Sequence, residues 1–297
     1  ADVMARSIPR HLRDDQQRTF VRLFDQACRR HSPWTVWADF VVMSAVGISN
    51  TVDKDHAGER EKTYAALATK YDRSELECLS SMFAEVVNGL EENPNQDFLG
   101  DLFMALELGN EHKGQFFTPY SVCRMTAKMT YGKDLEAKID QRGWISVNDP
   151  ACGAGALLVA FANECKLRHT NYQTSVLFVA QDIDHIVGCM CYIQLSLLGC
   201  PGYVVIGNSL TEPCSGIDGD PLIPVPGDNI WYTPMYFRDA WHYRRLGQVM
   251  DRVIRAAPRQ AEPQDVLETE AVPEPEPLDC PAPQLLDETG MGQLTFF

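Results

Sequence analysis

Residues 148–158 read Asn-Asp-Pro-Ala-Cys-Gly-Ala-Gly-Ala-Leu-Leu and follow the strand-like run Trp144-Ile145-Ser146-Val147. Small residues between a strand and a helix let a ligand approach the backbone closely. The helix expected from Ala156 to about Arg168 turns its positive end toward such a ligand. Asp149 sits at the strand end, where a carboxylate can accept from an ammonium group directly or through water. Ala151, Gly153 and Gly155 supply the close approach. A plain tight turn is the competing explanation, and the strand–loop–helix setting favours the ligand.

Three further segments accompany this loop in order. Gly114-Gln115-Phe116-Phe117-Thr118-Pro119 places two aromatics before a helix start. Thr118 is expected to cap that helix, Pro119 to begin it, and Phe117 to wall a ligand cleft. Ala180-Gln181-Asp182-Ile183-Asp184 puts an acidic residue at a second strand tip, suited to two ribose hydroxyls. Ile183 would pack on a base ring, and Asp184 would cap the next helix. Ile206-Gly207-Asn208-Ser209-Leu210 closes a third strand, with Asn208 facing a base or lining a substrate pocket. Each segment alone also fits an ordinary cap, turn or hydrophobic anchor.

Together these four segments resemble the N-6 adenine DNA methyltransferases, especially the modification subunits of type I restriction systems. That family's segments run Gly-(Gln/Glu)-Phe-Phe-Thr-Pro, Asp-Pro-Ala-Cys-Gly-Ser-Gly, Gln-(Asp/Glu)-Ile and Gly-Asp-(Thr/Ser)-Leu. The resemblance covers about Asp97 to Leu210, with Asn208 where the family usually has Asp. It implies a Rossmann-like α/β fold that binds S-adenosylmethionine and transfers its methyl group to an adenine amine in DNA.

The family's catalytic tetrapeptide, (Asn/Asp)-Pro-Pro-(Tyr/Phe), is missing. In that motif a side-chain oxygen and a proline carbonyl hold the target amine while the ring stacks on a flipped base. Thr233-Pro234-Met235-Tyr236 is the nearest positional match. Thr233, Pro234 and Tyr236 are therefore the expected catalytic residues, with a hydroxyl as a shorter and weaker acceptor. The alternative is a non-catalytic cofactor-binding or clamp-binding module, or one subunit of a heteromeric methyltransferase. The family's later strands also lack counterparts here, so the sheet is expected to be minimal or completed by a specificity or second methyltransferase subunit.

The elements that must position these residues fall into three regions. Residues 1–112 read as a helical domain: Phe20, Leu23, Phe24, Ala27 and Cys28 recur at helical spacing. Ser32-Pro33 opens one helix, Ser74 to Glu77 resembles a capping box, and Asp97 is placed to cap another. Residues 113–256 alternate strand and helix, which implies a parallel sheet with ligands beyond its carboxyl ends. Residues 257–297 are acidic and proline-rich and read as a disordered tether.

Gln293-Leu294-Thr295-Phe296-Phe297 breaks that character and resembles the peptide that docks DNA-processing proteins on the bacterial sliding clamp. Gln293 would meet a polar rim, and Leu294, Phe296 and Phe297 an apolar cleft. The competing expectation is a tail folded back onto its own domain.

The formal net charge is −15, of which the last 41 residues contribute −8. DNA contact therefore needs a local basic patch or a partner; the cluster Arg10, Arg13, Arg18, Arg22, Arg29, Arg30 fits a solvated helix face better. Ten scattered cysteines without a Cys-x-x-Cys pair suggest reduced cytoplasmic thiols rather than disulfides or a metal site. No apolar run is expected to span a membrane.

Overall fold

The computed structural model describes residues 12, 15–108, 117–214, 216–256 and 293–295. Arg10, Arg13, Gly114 to Phe116, the tail from 257 to 292, Phe296 and Phe297 lie outside them.

Five helices come first: α1 (Asp15–Ala27), α2 (Pro33–Val52), α3 (Ala57–Ala68), α4 (Arg73–Glu92) and α5 (Phe98–Ala105). Their starts follow from local chemistry. The Ser32 hydroxyl accepts from Thr35 N and Pro33 occupies the first turn. The capping box of α4 is Asp72 with Glu75, two residues upstream of the Ser74 start that the pattern suggests. By length and composition α2 would cross a membrane, more than the sequence reading allowed. In the structure half of its residues, Trp37, Phe40 and Val41 among them, are buried in the protein core.

After α6 (Tyr120–Thr130) and α7 (Lys133–Arg142), chain and sheet alternate: β1 (Ile145–Asp149), α8 (Ala156–Leu167), α9 (Tyr172–Ser175), β2 (Val176–Asp182), α10 (His185–Leu197) and β3 (Gly202–Ile206). A short β4 (Ile230–Tyr232), a 3-10 turn (Pro234–Phe237), α11 (Asp239–Ala256) and a last strand β5 (Gln293–Thr295) follow. The sheet order is β4-β3-β2-β1-β5. β1, β2, β3 and β5 run parallel, and β4 runs antiparallel to β3. This is the expected Rossmann-like arrangement on a small sheet.

Alternation along the strands sends side chains to two faces. Ile145, Val147, Phe178, Ala180 and Val204 join α8, α10 and the N-terminal helices in one continuous buried cluster that includes Phe20, Trp37 and Phe103. Leu177, Val179, Tyr203 and Val205 pack on the other face under Trp144, Tyr236 and Trp241. The described residues up to Leu108 therefore share a core with the sheet.

Arg60 locks this union. Its guanidinium donates to Asp53 Oδ2 at 2.8 Å, Ser49 Oγ at 2.5 Å and the β4 carbonyl of Ile230 at 2.6 Å. It also stacks 3.9 Å above the Trp231 ring. Removing one member of a buried ion pair costs about 3–5 kcal/mol; here Asp53 would keep its contact to His56 Nδ1 at 2.8 Å but lose the arginine charge. Arg60→Ala should lower the urea-unfolding free energy by that order. A loss below about 1 kcal/mol would show that this contact does not hold β4.

Candidate cofactor and substrate site

The loop after β1 turns through two glycines in the left-handed region, Gly153 (φ 55°) and Gly155 (φ 91°). A Cβ on Gly155 would lie 2.8 Å from Cys191 Sγ, so the bare glycine lets α10 close against the start of α8. Two bonds tie the loop to β2. Cys152 N donates to Gln181 O at 2.9 Å, and Gly153 N donates to Asp182 Oδ2 at 2.9 Å. The other Asp182 oxygen accepts from Asp184 N at 2.9 Å. Asp184 in turn caps α10 by accepting from Ile186 N and Val187 N.

Against this bend lies a cavity of about 280 Å³, near the lower end of small-molecule sites at about 300–1,000 Å³. Its walls include Asp97, Phe117, Thr118, Cys123, Asp149, Ala151 and Gly153. The Phe117 ring stands 3.4 Å from where a Gly153 Cβ would be, and 5.1 Å from the Phe103 ring centre.

Asp149 is 2% exposed. Among the described residues its Oδ1 accepts from Ala151 N alone, at 3.2 Å. Burial raises its pKa from 3.8 to about 6; the Ala151 bond works against that rise, and the nearby Asp182 charge adds to it. Asp182 is also raised, chiefly by burial, against the pull of its bonds from Asp184 and Gly153. The cavity thus sets a nearly dry carboxylate beside backbone that a ligand can approach. Such a group favours a cationic guest.

The structure brings Phe117, Thr118, Asp149, Ala151 and Gly153 to one cavity and sets Gly155 behind it. Asp182 adjoins it through the Gly153 bond, and Ile183 beside it is 70% exposed. Asn208 lies two residues beyond β3, where its Oδ1 accepts from Leu210 N at 2.9 Å in a local turn. Thr118 does not cap α6. Pro119 holds the cap position without a side-chain bond, and Thr118 lines the cavity instead. Asp97 caps α5 through Gly100 N as expected, but it also faces the cavity, held by Gln194 Nε2 at 2.8 Å. That partner is distant in sequence, so no local signal marks Asp97 as a site residue.

The proposed catalytic residues lie elsewhere. Because β4 is antiparallel, Tyr232 pairs with Tyr203, and the chain leaves the sheet at the amino end of β3. The cavity is at the carboxyl end of β1. Thr233 is fully buried, donating to Cys200 O at 2.7 Å and accepting from Gly202 N at 3.0 Å. The Tyr236 hydroxyl donates to Leu222 O at 2.9 Å, and its ring stacks on Tyr232. Pro234 opens the 3-10 turn between them. Thr233, Pro234 and Tyr236 therefore do not face the cavity.

A second groove of about 520 Å³ runs along the outer sides of α6 and α8, lined by Arg124, Lys128 and Arg168 among others. It is larger but solvent-facing, and it has neither the glycine bend nor the buried strand-end carboxylate.

Residues 96–248 match the model of the N-6 DNA methylase family. The chain belongs to that family. Among curated proteins none matches it. Two solved structures are similar over part of their length. One, from Listeria monocytogenes, is assigned as a class I S-adenosylmethionine-dependent methyltransferase (20% identity, 62% of this chain and 57% of that one, TM-score 0.33). The other is the methyltransferase subunit of a type I restriction-modification system from Streptococcus thermophilus (14% identity, 66% of this chain and 59% of that one, TM-score 0.35). The chain thus spans less than two thirds of either structure.

Two outcomes follow from this geometry. The folded-state pKa of Asp149 is raised, so its contribution to stability is full below about pH 3.8 and is lost as pH rises through about 6. Above that, the ionised group costs about 2–3 kcal/mol. Asp149→Asn should raise the melting temperature of the ligand-free protein at pH 8, not at pH 4, while abolishing affinity for a cationic ligand. A variant no more stable than the parent at pH 8 contradicts this. Thr233→Val, which strands Gly202 N and Cys200 O, should cost about 1–3 kcal/mol of stability and leave ligand affinity unchanged in calorimetry. A large affinity loss would return Thr233 to the site.

Proposed function

We propose that the 280 Å³ cavity binds S-adenosylmethionine and that the protein serves methyl transfer to the exocyclic amine of adenine in DNA. The observation that carries this reading is the buried Asp149 carboxylate beside the Gly153 bend in a member of the N-6 DNA methylase family. When bound, the cofactor supplies an electrophilic methyl group. Asp149 would hold its ammonium, directly or through water. Asp182 has lone pairs left for a ribose diol beyond its two backbone bonds. Phe117 and Ile183 would give apolar walls, and Asn208 a polar group toward the base or the substrate.

The placement of Thr233 and Tyr236 at the far end of the sheet favours one refinement: the element that holds the target amine comes from outside the described residues. The protein is then one subunit of a heteromeric methyltransferase, with a specificity or second methyltransferase subunit as partner. The purely regulatory, non-catalytic module is the second reading, and the same burial of Thr233 favours it. For DNA, Arg124 and Lys128 supply a local basic patch in the outer groove, where Arg168 is paired with Glu164 at 2.9 Å, on an otherwise acidic body.

The C-terminal peptide Gln293, Leu294, Phe296, Phe297 is proposed as the sliding-clamp contact. The backbone of residues 293–295 pairs with β1 in parallel register. One strand cannot serve both partners, so clamp docking requires its release from β1.

Calorimetry with S-adenosylmethionine and tritiated methyl transfer to mixed-sequence DNA, alone and with co-encoded partners, test the proposal. Binding is expected, with Asp182→Ala weakening it at least tenfold, about 1.4 kcal/mol. Transfer is expected in the presence of the partner. Binding without transfer under every condition supports the regulatory reading, and absence of binding removes both.

A further inference from the structure

Helix α11 is built inside out. A helix on a protein surface normally turns its apolar stripe inward. Here Trp241 anchors the start of the helix, and the rest of its inner face is polar: Arg244, Arg245, Gln248 and Arg252. Arg244 donates to Thr174 O at 2.5 Å and Gly143 O at 3.0 Å, Arg245 donates to Tyr236 O, and Arg252 donates to Ile217 O at 2.7 Å. The opposite face carries Tyr243, Leu246, Val249, Met250, Val253 and Ile254, each between 45% and 69% exposed. Tyr243, Leu246, Met250 and Val253 follow a 3-4-3 spacing, the seam of a two-helix pair.

Gly247 adds a separate observation. It lies mid-helix, and a Cβ built on it meets nothing within 4 Å. Glycine there costs about 1 kcal/mol relative to alanine, and no contact among the described residues requires it. A bare Cα beside an exposed seam is suited to close approach by another helix.

We propose that α11 pairs antiparallel with α11 of a second copy of this chain, about a two-fold axis. In that register Leu246 meets the partner's Met250, Tyr243 meets the partner's Val253, and the two Gly247 residues face one another. The charge pattern selects the second copy. The positions flanking the seam are His242, Gly247, Val249 and Ile254, with no Lys, Arg, Asp or Glu among them. Pairs between unlike helices are commonly specified by charges there; a self-pair requires only that none clash. The antiparallel arrangement also opposes the two helix dipoles. An isologous contact of this kind closes at two copies.

Sedimentation equilibrium of the full chain across the micromolar range tests the pairing. A monomer–dimer equilibrium is expected. Leu246→Glu and Met250→Glu should each raise the dissociation constant at least tenfold with the melting temperature unchanged, since neither side chain faces the body. Gly247→Cys should form a disulfide-linked dimer under mild oxidation, whereas Val253→Cys and the parent chain should not. A parent chain that stays monomeric overturns the proposal, including one that binds anionic lipid vesicles through this face instead. So does a dimer indifferent to both glutamate variants.

Discussion

A carboxylate at the end of β1, almost wholly removed from water and held among the described residues by one backbone N–H, is the constraint on which the site depends. Nothing in folding requires it. Asp149 in its charged form opposes stability at neutral pH, because burial favours the proton on it. A cationic guest reverses that balance. The glycine bend and its two bonds to β2 keep the backbone open to that guest, and α10 closes behind Gly155. On the proposed function, the arrangement gives up local stability to gain a preorganised receptor.

Strand direction decides what the site can do. The parallel run of β1, β2 and β3 brings Asp149, Asp182 and Asn208 to one edge of the sheet. The antiparallel β4 sends the Thr233 turn to the other edge, where its hydroxyl completes a backbone network. On the proposed function, the group that holds the target amine belongs to a different element. β5 is notable here: it lies on the open edge of β1, and its Thr295 is level with Asn148, one residue short of Asp149.

The parts legible in the sequence were those governed by neighbours along the chain. The glycine loop, the Ser32, Asp97 and Asp184 caps and the three parallel strands all have local causes. The parts that escaped depend on distant contacts. Asp72 rather than Ser74 caps α4, and Asp72 also takes an ion pair from Arg30 at 2.8 Å. Asp97 reaches the cavity because Gln194 holds it there. Three residues, Ile230 to Tyr232, carry no mark of strand direction, and it is this direction that sets Thr233 away from the cavity. A peptide like Gln293–Thr295 reads equally as a docking motif or as a strand.

Proton release on ligand binding near pH 6 tests the central claim most directly. Titration calorimetry with S-adenosylmethionine in buffers of different ionisation enthalpy measures it. A fraction of a proton should leave Asp149 on binding at pH 6, falling toward zero at pH 8, where the group is already ionised. Binding with no buffer dependence at pH 6, or no binding at either pH, would contradict the account.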